Sequence, residues 1–206
     1  MIAVVDYGVN NLASVVRALA AGGHTATLSS DPDVVRRADR VLVPGVGHFG
    51  RASRTLEESG LGDAVREAAA AGRPVLGICL GLQLFFTESE EAPGACGLGL
   101  LAGRVQRFAT DLAVPHVGWA QVELTDAGRS HPLLVTAAAA PAAFFYHVHS
   151  YHPADVAPAD LLATGEYGGT FATMVAHANV AGAQFHPEKS QRAGIDLLAA
   201  FAEWRP

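Results

Sequence analysis

Basic clusters, long apolar runs and cysteines are all scarce in this chain, and each scarcity removes a class of function. Its 14 Lys and Arg stand against 20 Asp and Glu, a formal net charge of -6, and no Lys/Arg-rich run appears. A protein that grips nucleic acid or an anionic membrane surface needs such a run, so small molecules and other proteins are the expected partners. No uninterrupted apolar stretch approaches the ~20 residues of a membrane span. The opening residues, MIAVVDYG, carry no basic leader and reach Asp6 early, which sets the expectation of a cytoplasmic protein. Cysteine is limited to Cys79 and Cys96. A cytosolic chain of 206 residues buries enough core to need no disulfide, and both thiols are expected to stay free. Neither a linker nor an internal repeat interrupts the sequence, so one domain over residues 1–206 is expected, with low complexity confined to Ala-rich patches.

Alternation is what the chain has in its place. Short β-branched runs, IAVVD (2–6), HTATLS (24–29), RVLVPG (40–45) and PVLGI (74–78), are separated by helical patterns. Leu12, Val15, Val16 and Leu19 share one face of a helix over about residues 11–21, which Gly22-Gly23 stops. Asp31-Pro32 starts another helix, and Leu61, Ala64, Val65 and Ala68 mark a further one ended by Gly72. The middle is less regular: GLGLLAGRVQRF, VPHVGWAQVEL and AAFFYHVHSYH read as strands, while an Ala-rich connection (134–143) has no clear assignment. The chain continues with two strands around a turn at Ala178-Asn179 and a helix packing Ile195, Leu198 and Phe201. The expected fold class is α/β, an open and mostly parallel sheet flanked by helices, with antiparallel additions.

Within that pattern Gly77-Ile78-Cys79-Leu80-Gly81 has the form G-x-C-x-G, at the point where a buried strand gives way to a helix. A strand that turns sharply into a helix strains the residue at its apex and crowds the positions two before and two after, which glycine relieves. A thiol at that apex sits near a helix amino terminus, whose partial positive charge favours thiolate over thiol. An isolated free cysteine is more often a small buried hydrophobe, and the flanking glycines are what point to a nucleophile. Cys96, in PGACGLG, has no such context and is expected to be an ordinary loop or core thiol.

A nucleophilic thiol needs a base and an orienter. Among nine histidines, His186 in AGAQFHPEKS ends an apolar strand, and Pro187 biases it to extended geometry. Residues i and i+2 of an extended chain point the same way, so His186 and Glu188 can face one site as base and orienter. VPGVGHFG follows another strand, and its Val46 and Gly47 N–H groups, with that of Leu80, could form an oxyanion hole. His147, His149 and His152 in FYHVHSYH are the rival cluster; no carboxylate or cysteine close in sequence completes a ligand set, so no metal and no cofactor are expected. The glycines at 97, 99 and 103 lack the strand-then-helix context of a dinucleotide site.

PGVGHFG, GICLGLQLFF and QFHPEKS, in that order and separation, resemble the class I (triad) glutamine amidotransferases, of flavodoxin-like architecture. DYGVNNLASV, VPHVGW and FYHVHSY are similar, more narrowly, to the glutaminase subunit of imidazole glycerol phosphate synthase, and the likeness spans nearly the whole chain. It implies hydrolysis of glutamine to glutamate and ammonia by Cys79, His186 and Glu188. It also implies glutamine contacts from Gln83, Glu91 and the His149-Ser150-Tyr151 segment. A separate (β/α)8-barrel cyclase is the implied partner in a heterodimer, met through Asn11, Trp119, Tyr146 and Lys189, with activity low until that partner binds its nucleotide. Three positions depart from the family pattern: Asn10 where glycine is usual, His147 in place of an aromatic, and Ala120 in place of asparagine. Asn10 is expected to be tolerated because asparagine enters the left-handed region more readily than most residues. Two other readings stay open: a glutaminase serving another acceptor, in anthranilate or pyridoxal phosphate synthesis, and a non-catalytic or protease-like member of the fold.

Overall fold

A computed structural model describes residues 1–140 and 142–206. The first half follows the expected alternation: β1 (Ile2–Val5), α1 (Leu12–Ala21), β2 (Ala26–Ser29), α2 (Pro32–Arg37), β3 (Arg40–Gly45), α3 (Phe49–Glu58), α4 (Leu61–Ala70), β4 (Val75–Cys79) and the single turn α5 (Leu80–Gln83). Then come β5 (Arg104–Arg107), β6 (His116–Leu124), α6 (Asp126–Ser130), a 3-10 turn at Pro132–Leu134 and α7 (Val135–Ala139). The rest comprises β7 (Ala143–His149), β8 (Tyr151–Ala154), β9 (Leu161–Glu166), β10 (Thr170–His177), β11 (Val180–Ala183), a 3-10 turn at Pro187–Lys189 and α8 (Gln191–Glu203).

Nine strands form one sheet in the order β2-β1-β3-β4-β11-β10-β9-β6-β7, and β5 pairs with β8 in a second, two-stranded sheet. From β2 to β11 neighbours are parallel; from β11 outward they are antiparallel. The central parallel strands β1, β4 and β11 are buried throughout because helices cover both faces, while β2 at the edge is partly exposed. One core packs Leu12, Val15 and Leu19 of α1 with Leu197, Leu198 and Phe201 of α8. The other packs Val35 of α2, Phe49 and Leu56 of α3, and Leu61 and Val65 of α4. This is the expected fold class, with α1 on its expected face and Asp31 capping α2 by accepting the Asp33 N–H at 2.9 Å.

Four expectations change. The strand read over GLGLLAGRVQRF is confined to β5: Gly99 (φ 65°) and Gly103 (φ 113°) bend the chain, and Leu98 and Leu100 N–H bond the carbonyls of Leu84 and Phe85 instead of a strand. The strand read through AAFFYHVHSYH divides at Ser150 into β7 and β8, which belong to different sheets. The unassigned connection 134–143 is largely α7, with residue 141 outside the described residues. The left-handed asparagine is Asn11 (φ 74°), at the start of α1, and not Asn10. Among the described residues no helix is long and apolar enough to cross a membrane.

Candidate active site

Parallel strands bring their carboxyl ends to one edge, and the residues singled out by motif gather there. Cys79 ends β4 and caps α5 at φ 54°, ψ -110°, a backbone conformation that L residues rarely occupy. Its two glycines explain how the elbow closes. A Cβ on Gly77 would lie 2.6 Å from the Leu82 nitrogen, and one on Gly81 would overlap the Val43 carbonyl oxygen. The sheet register sets Gly45 beside Cys79, so Val46 and Gly47 (φ 117°) follow at the rim of the same edge as Leu80, the first residue of α5.

β11, the parallel neighbour of β4, leads directly to His186. His186 Nδ1 lies 2.8 Å from Glu188 Oε1, with both side chains almost wholly buried. The pair does not form through extended chain, as the sequence suggested: Pro187–Lys189 is a 3-10 turn, and the turn swings Glu188 back to the ring. Asn11 Nδ2 donates to the same Glu188 oxygen at 3.0 Å. The ring is also held from behind, since its backbone N–H donates to Tyr146 O at 2.9 Å and Ser190 Oγ donates to its carbonyl at 2.6 Å. A carboxylate can only accept, so Nδ1 carries the proton and Nε2 is left for the sulfur side. Burial alone lowers the pKa of His186, but the charge and contact of Cys79, followed by the Glu188 carboxylate, outweigh it and raise the group to about 10. His186 is thereby favoured in its protonated form beside Cys79.

This coupling has a direct readout. The His186 ring signal in NMR is expected to titrate near pH 10, and in Cys79→Ala its midpoint should drop by units, because only Glu188 then holds the proton. An unfolded histidine titrates near ~6.5. The charged ring thus adds stability below that pH and loses it as pH rises through its folded midpoint. A native midpoint near that of a free histidine would contradict the pairing.

The sulfur has further contacts that the motifs did not announce. Gln184, fully buried in the run AGAQFHPE, directs Nε2 at Cys79 Sγ from 3.7 Å, and its Oε1 accepts from Gln83 Nε2 at 3.0 Å. Gln83 Nε2 also donates to Tyr151 O at 3.0 Å, so only the carbonyl oxygen of Gln83 remains to meet a ligand. Tyr7 donates to Pro44 O at 2.8 Å beneath the loop, its own proton held tightly by burial and the charge on Cys79. A lone polar residue in an otherwise apolar run was the one available signal for Gln184.

The remaining residues divide into two groups. Glu91 accepts the Phe49 N–H at 2.6 Å and so anchors the start of α3, while His149, Ser150 and Tyr151 form the junction of β7 and β8, with Val148 O 4.0 Å from the Cys79 sulfur. The His149 ring faces away into an aromatic cluster with Phe108 and Phe171. Trp119, Tyr146 and Lys189 make a row on the outer side: the indole meets the Tyr146 ring edge-on at 6.3 Å, and the Lys189 ammonium stands 5.6 Å above that ring. Val117, Trp119 and Phe144 are about half exposed on the same face of β6 and β7. Cys96 is exposed and Cys79 buried, both free.

Comparison with known proteins agrees with this architecture. The model of the family "Glutamine amidotransferase class-I" matches residues 3–203. An imidazole glycerol phosphate synthase subunit HisH from Symbiobacterium thermophilum is 48% identical over 199 residues, covering 96% of this chain and 91% of that protein. The HisH subunit from Methylococcus capsulatus is 47% identical over 216 residues, covering 100% and 97%. A crystal structure of a glutamine amidotransferase superposes with a TM-score of 0.76 over 98% of this chain and 97% of that one, and at 20% identity it attests the fold. The chain belongs to the class-I glutamine amidotransferase family and, within it, to the family of the imidazole glycerol phosphate synthase subunit HisH.

Proposed function

We propose that this chain, as one amidotransferase domain in the cytoplasm, is the glutaminase subunit of an imidazole glycerol phosphate synthase. The observation that carries the reading is Cys79 in its strained elbow conformation on the strand next to the one that leads to the His186–Glu188 pair. The Cys79 thiolate attacks the side-chain amide carbon of glutamine, and the oxyanion is held by the N–H groups of Leu80 and of Val46 or Gly47. His186 gives its proton to the departing nitrogen, which leaves as ammonia. It then takes a proton from water as that water opens the glutamyl thioester, while Glu188 keeps the ring oriented. Gln83, Glu91 and the 149–151 segment line the glutamine side.

Glutamate and ammonia are the products, and the ammonia needs an acceptor site. The acceptor site belongs to a (β/α)8-barrel cyclase bound as a heterodimer, where ammonia yields imidazole glycerol phosphate and an aminoimidazole carboxamide ribonucleotide in histidine biosynthesis. The outer face of β6 and β7, with Val117, Trp119 and Phe144 exposed, supports this docking, since its Tyr146–Lys189 row leads inward to Glu188 and Asn11. The test is glutamate release by the purified chain alone, with the cyclase, and with cyclase plus its nucleotide. Release is expected mainly in the full mixture. Equal release in all three would keep the glutaminase and reject the assigned partner.

A further inference from the structure

The β6–β7 ladder assembles a group of histidine rings that the chemical steps of glutamine hydrolysis do not use. His116 stands directly opposite His149, and His147 is two residues along β7, opposite Gly118. Side chains at i and i+2 of a strand and at the facing position of its antiparallel neighbour project to one face. All three rings are therefore together, at 5%, 0% and 6% exposure, and one ring nitrogen from each lies within 4.8 Å of the others. His152, which adjacency in sequence had grouped with them, is turned aside with Nδ1 on the Pro153 carbonyl at 2.9 Å. The missing member came from another strand, which spacing along the chain could not reveal.

We propose that His116, His147 and His149 form a binding site for a divalent ion of the zinc class. The tautomers favour it. His149 Nδ1 lies 2.9 Å from the Tyr151 carbonyl, which can only accept, so Nδ1 bears the proton and Nε2 presents a lone pair. Holding the outer N–H on a backbone carbonyl is how ligating histidines are commonly oriented. His147 Nδ1 stands 3.0 Å from that Nε2, near the roughly 3.3 Å between two nitrogens sharing a tetrahedral ion with ~2.0–2.1 Å bonds.

A further ring atom, His116 Nδ1, is buried without any hydrogen-bond partner, a condition rare in folded proteins. On binding, the His147 proton moves from Nδ1 to Nε2, and His116 turns from its present near-parallel stack on His147, at 5.0 Å and 20°, to supply the third nitrogen. Imidazole nitrogen without carboxylate selects zinc over magnesium or calcium. Phe108, Phe171 and Tyr167 surround the group as an apolar wall. An ion there would pin the end of β7 from which the Tyr151 carbonyl, Gln83 and Gln184 run to the Cys79 sulfur.

The test must separate this group from Cys79 and His186, which could themselves bind zinc, so it uses full-length, metal-stripped Cys79→Ala protein. That protein is expected to retain one zinc per chain after gel filtration, to melt at a temperature that rises with added zinc, and to give cobalt d–d bands without sulfur-to-metal charge transfer. Adding His147→Phe removes a ligand outright and should weaken zinc binding by more than the roughly 10- to 100-fold that loss of a ligand's outer partner costs, with an unchanged circular dichroism spectrum. If the double variant does not fold, the cobalt spectrum and stoichiometry of Cys79→Ala decide alone. Loss of zinc binding in Cys79→Ala, or equal affinity with and without His147, would overturn the proposal.

Discussion

Cys79→Ala is expected to abolish glutamate release while leaving the fold intact. Removing a nucleophile from a coupled set lowers kcat by on the order of 10^5 to 10^6, about 7–8 kcal/mol of transition-state stabilisation at ~1.4 kcal/mol per decade. The sulfur is buried at the sheet edge, and deleting it leaves only a small space but removes the main support of the charged His186 ring, so Tm at neutral pH should fall while the fold persists. The backbone supplies an internal control. Alanine at φ 54°, ψ -110° keeps the strain of the native residue, whereas Cys79→Gly relieves it. Cys79→Gly should be equally inactive yet more stable than Cys79→Ala by about 1–2 kcal/mol, read as a rise in Tm. Residual turnover near the native rate in either variant would remove Cys79 from the chemistry.

The second large effect is structural. In Gly81→Ala the new Cβ would overlap the Val43 carbonyl oxygen and lie 2.8 Å from its carbon. Both are backbone of β3, a central strand whose registers with β1 and β4 leave it no freedom to retreat. The elbow must then open, separating α5 from β3 and carrying Cys79 with it. A loss above about 3 kcal/mol is expected, a large share of the ~5–15 kcal/mol that holds a domain folded. Denaturant unfolding would measure it, with Gly23→Ala as the comparison: there a Cβ meets nothing within 4 Å, and only the φ of 86° is penalised, by about 1 kcal/mol. Comparable stability for the two variants would mean that the close approach at Gly81 is not what shapes the elbow.

The difference between these glycines also marks what could be read from the sequence. Gly77 and Gly81 bracket Cys79 at fixed spacing, so local sterics announced the elbow, and His186-Pro187-Glu188 announced its partner by proximity along the chain. The β-run and helix alternation likewise carried the parallel half of the sheet. What escaped depends on contacts distant in sequence. Gln184 reaches Cys79 across 105 residues, and His116 joins His147 only because β6 and β7 pair in one register. Helix α3 was not singled out because its sequence, FGRASRTLEE, buries only Phe49, Ala52 and Leu56 among polar residues. Strand β9 was missed for a similar reason, its LLATGE being short and closed by glycine and glutamate. The 3-10 turn at 187–189 shows a right pairing reached through a wrong local geometry: proline fixed the approach, but the turn made the contact.

The insertion of β11 between β4 and β10 gives the chain a timetable. Gln184 leaves the ribosome 105 residues after Cys79, a delay of roughly 5–20 s at ~5–20 residues per second. Throughout that interval the nascent chain holds a thiol with no base and an apolar strand, Val75–Cys79, with one side unpaired. The half-made protein lacks the means to activate its thiol and carries an open strand edge. Docking of one four-residue strand ends both conditions together, so the moment at which the chain is safe to release is also the moment at which it can first react.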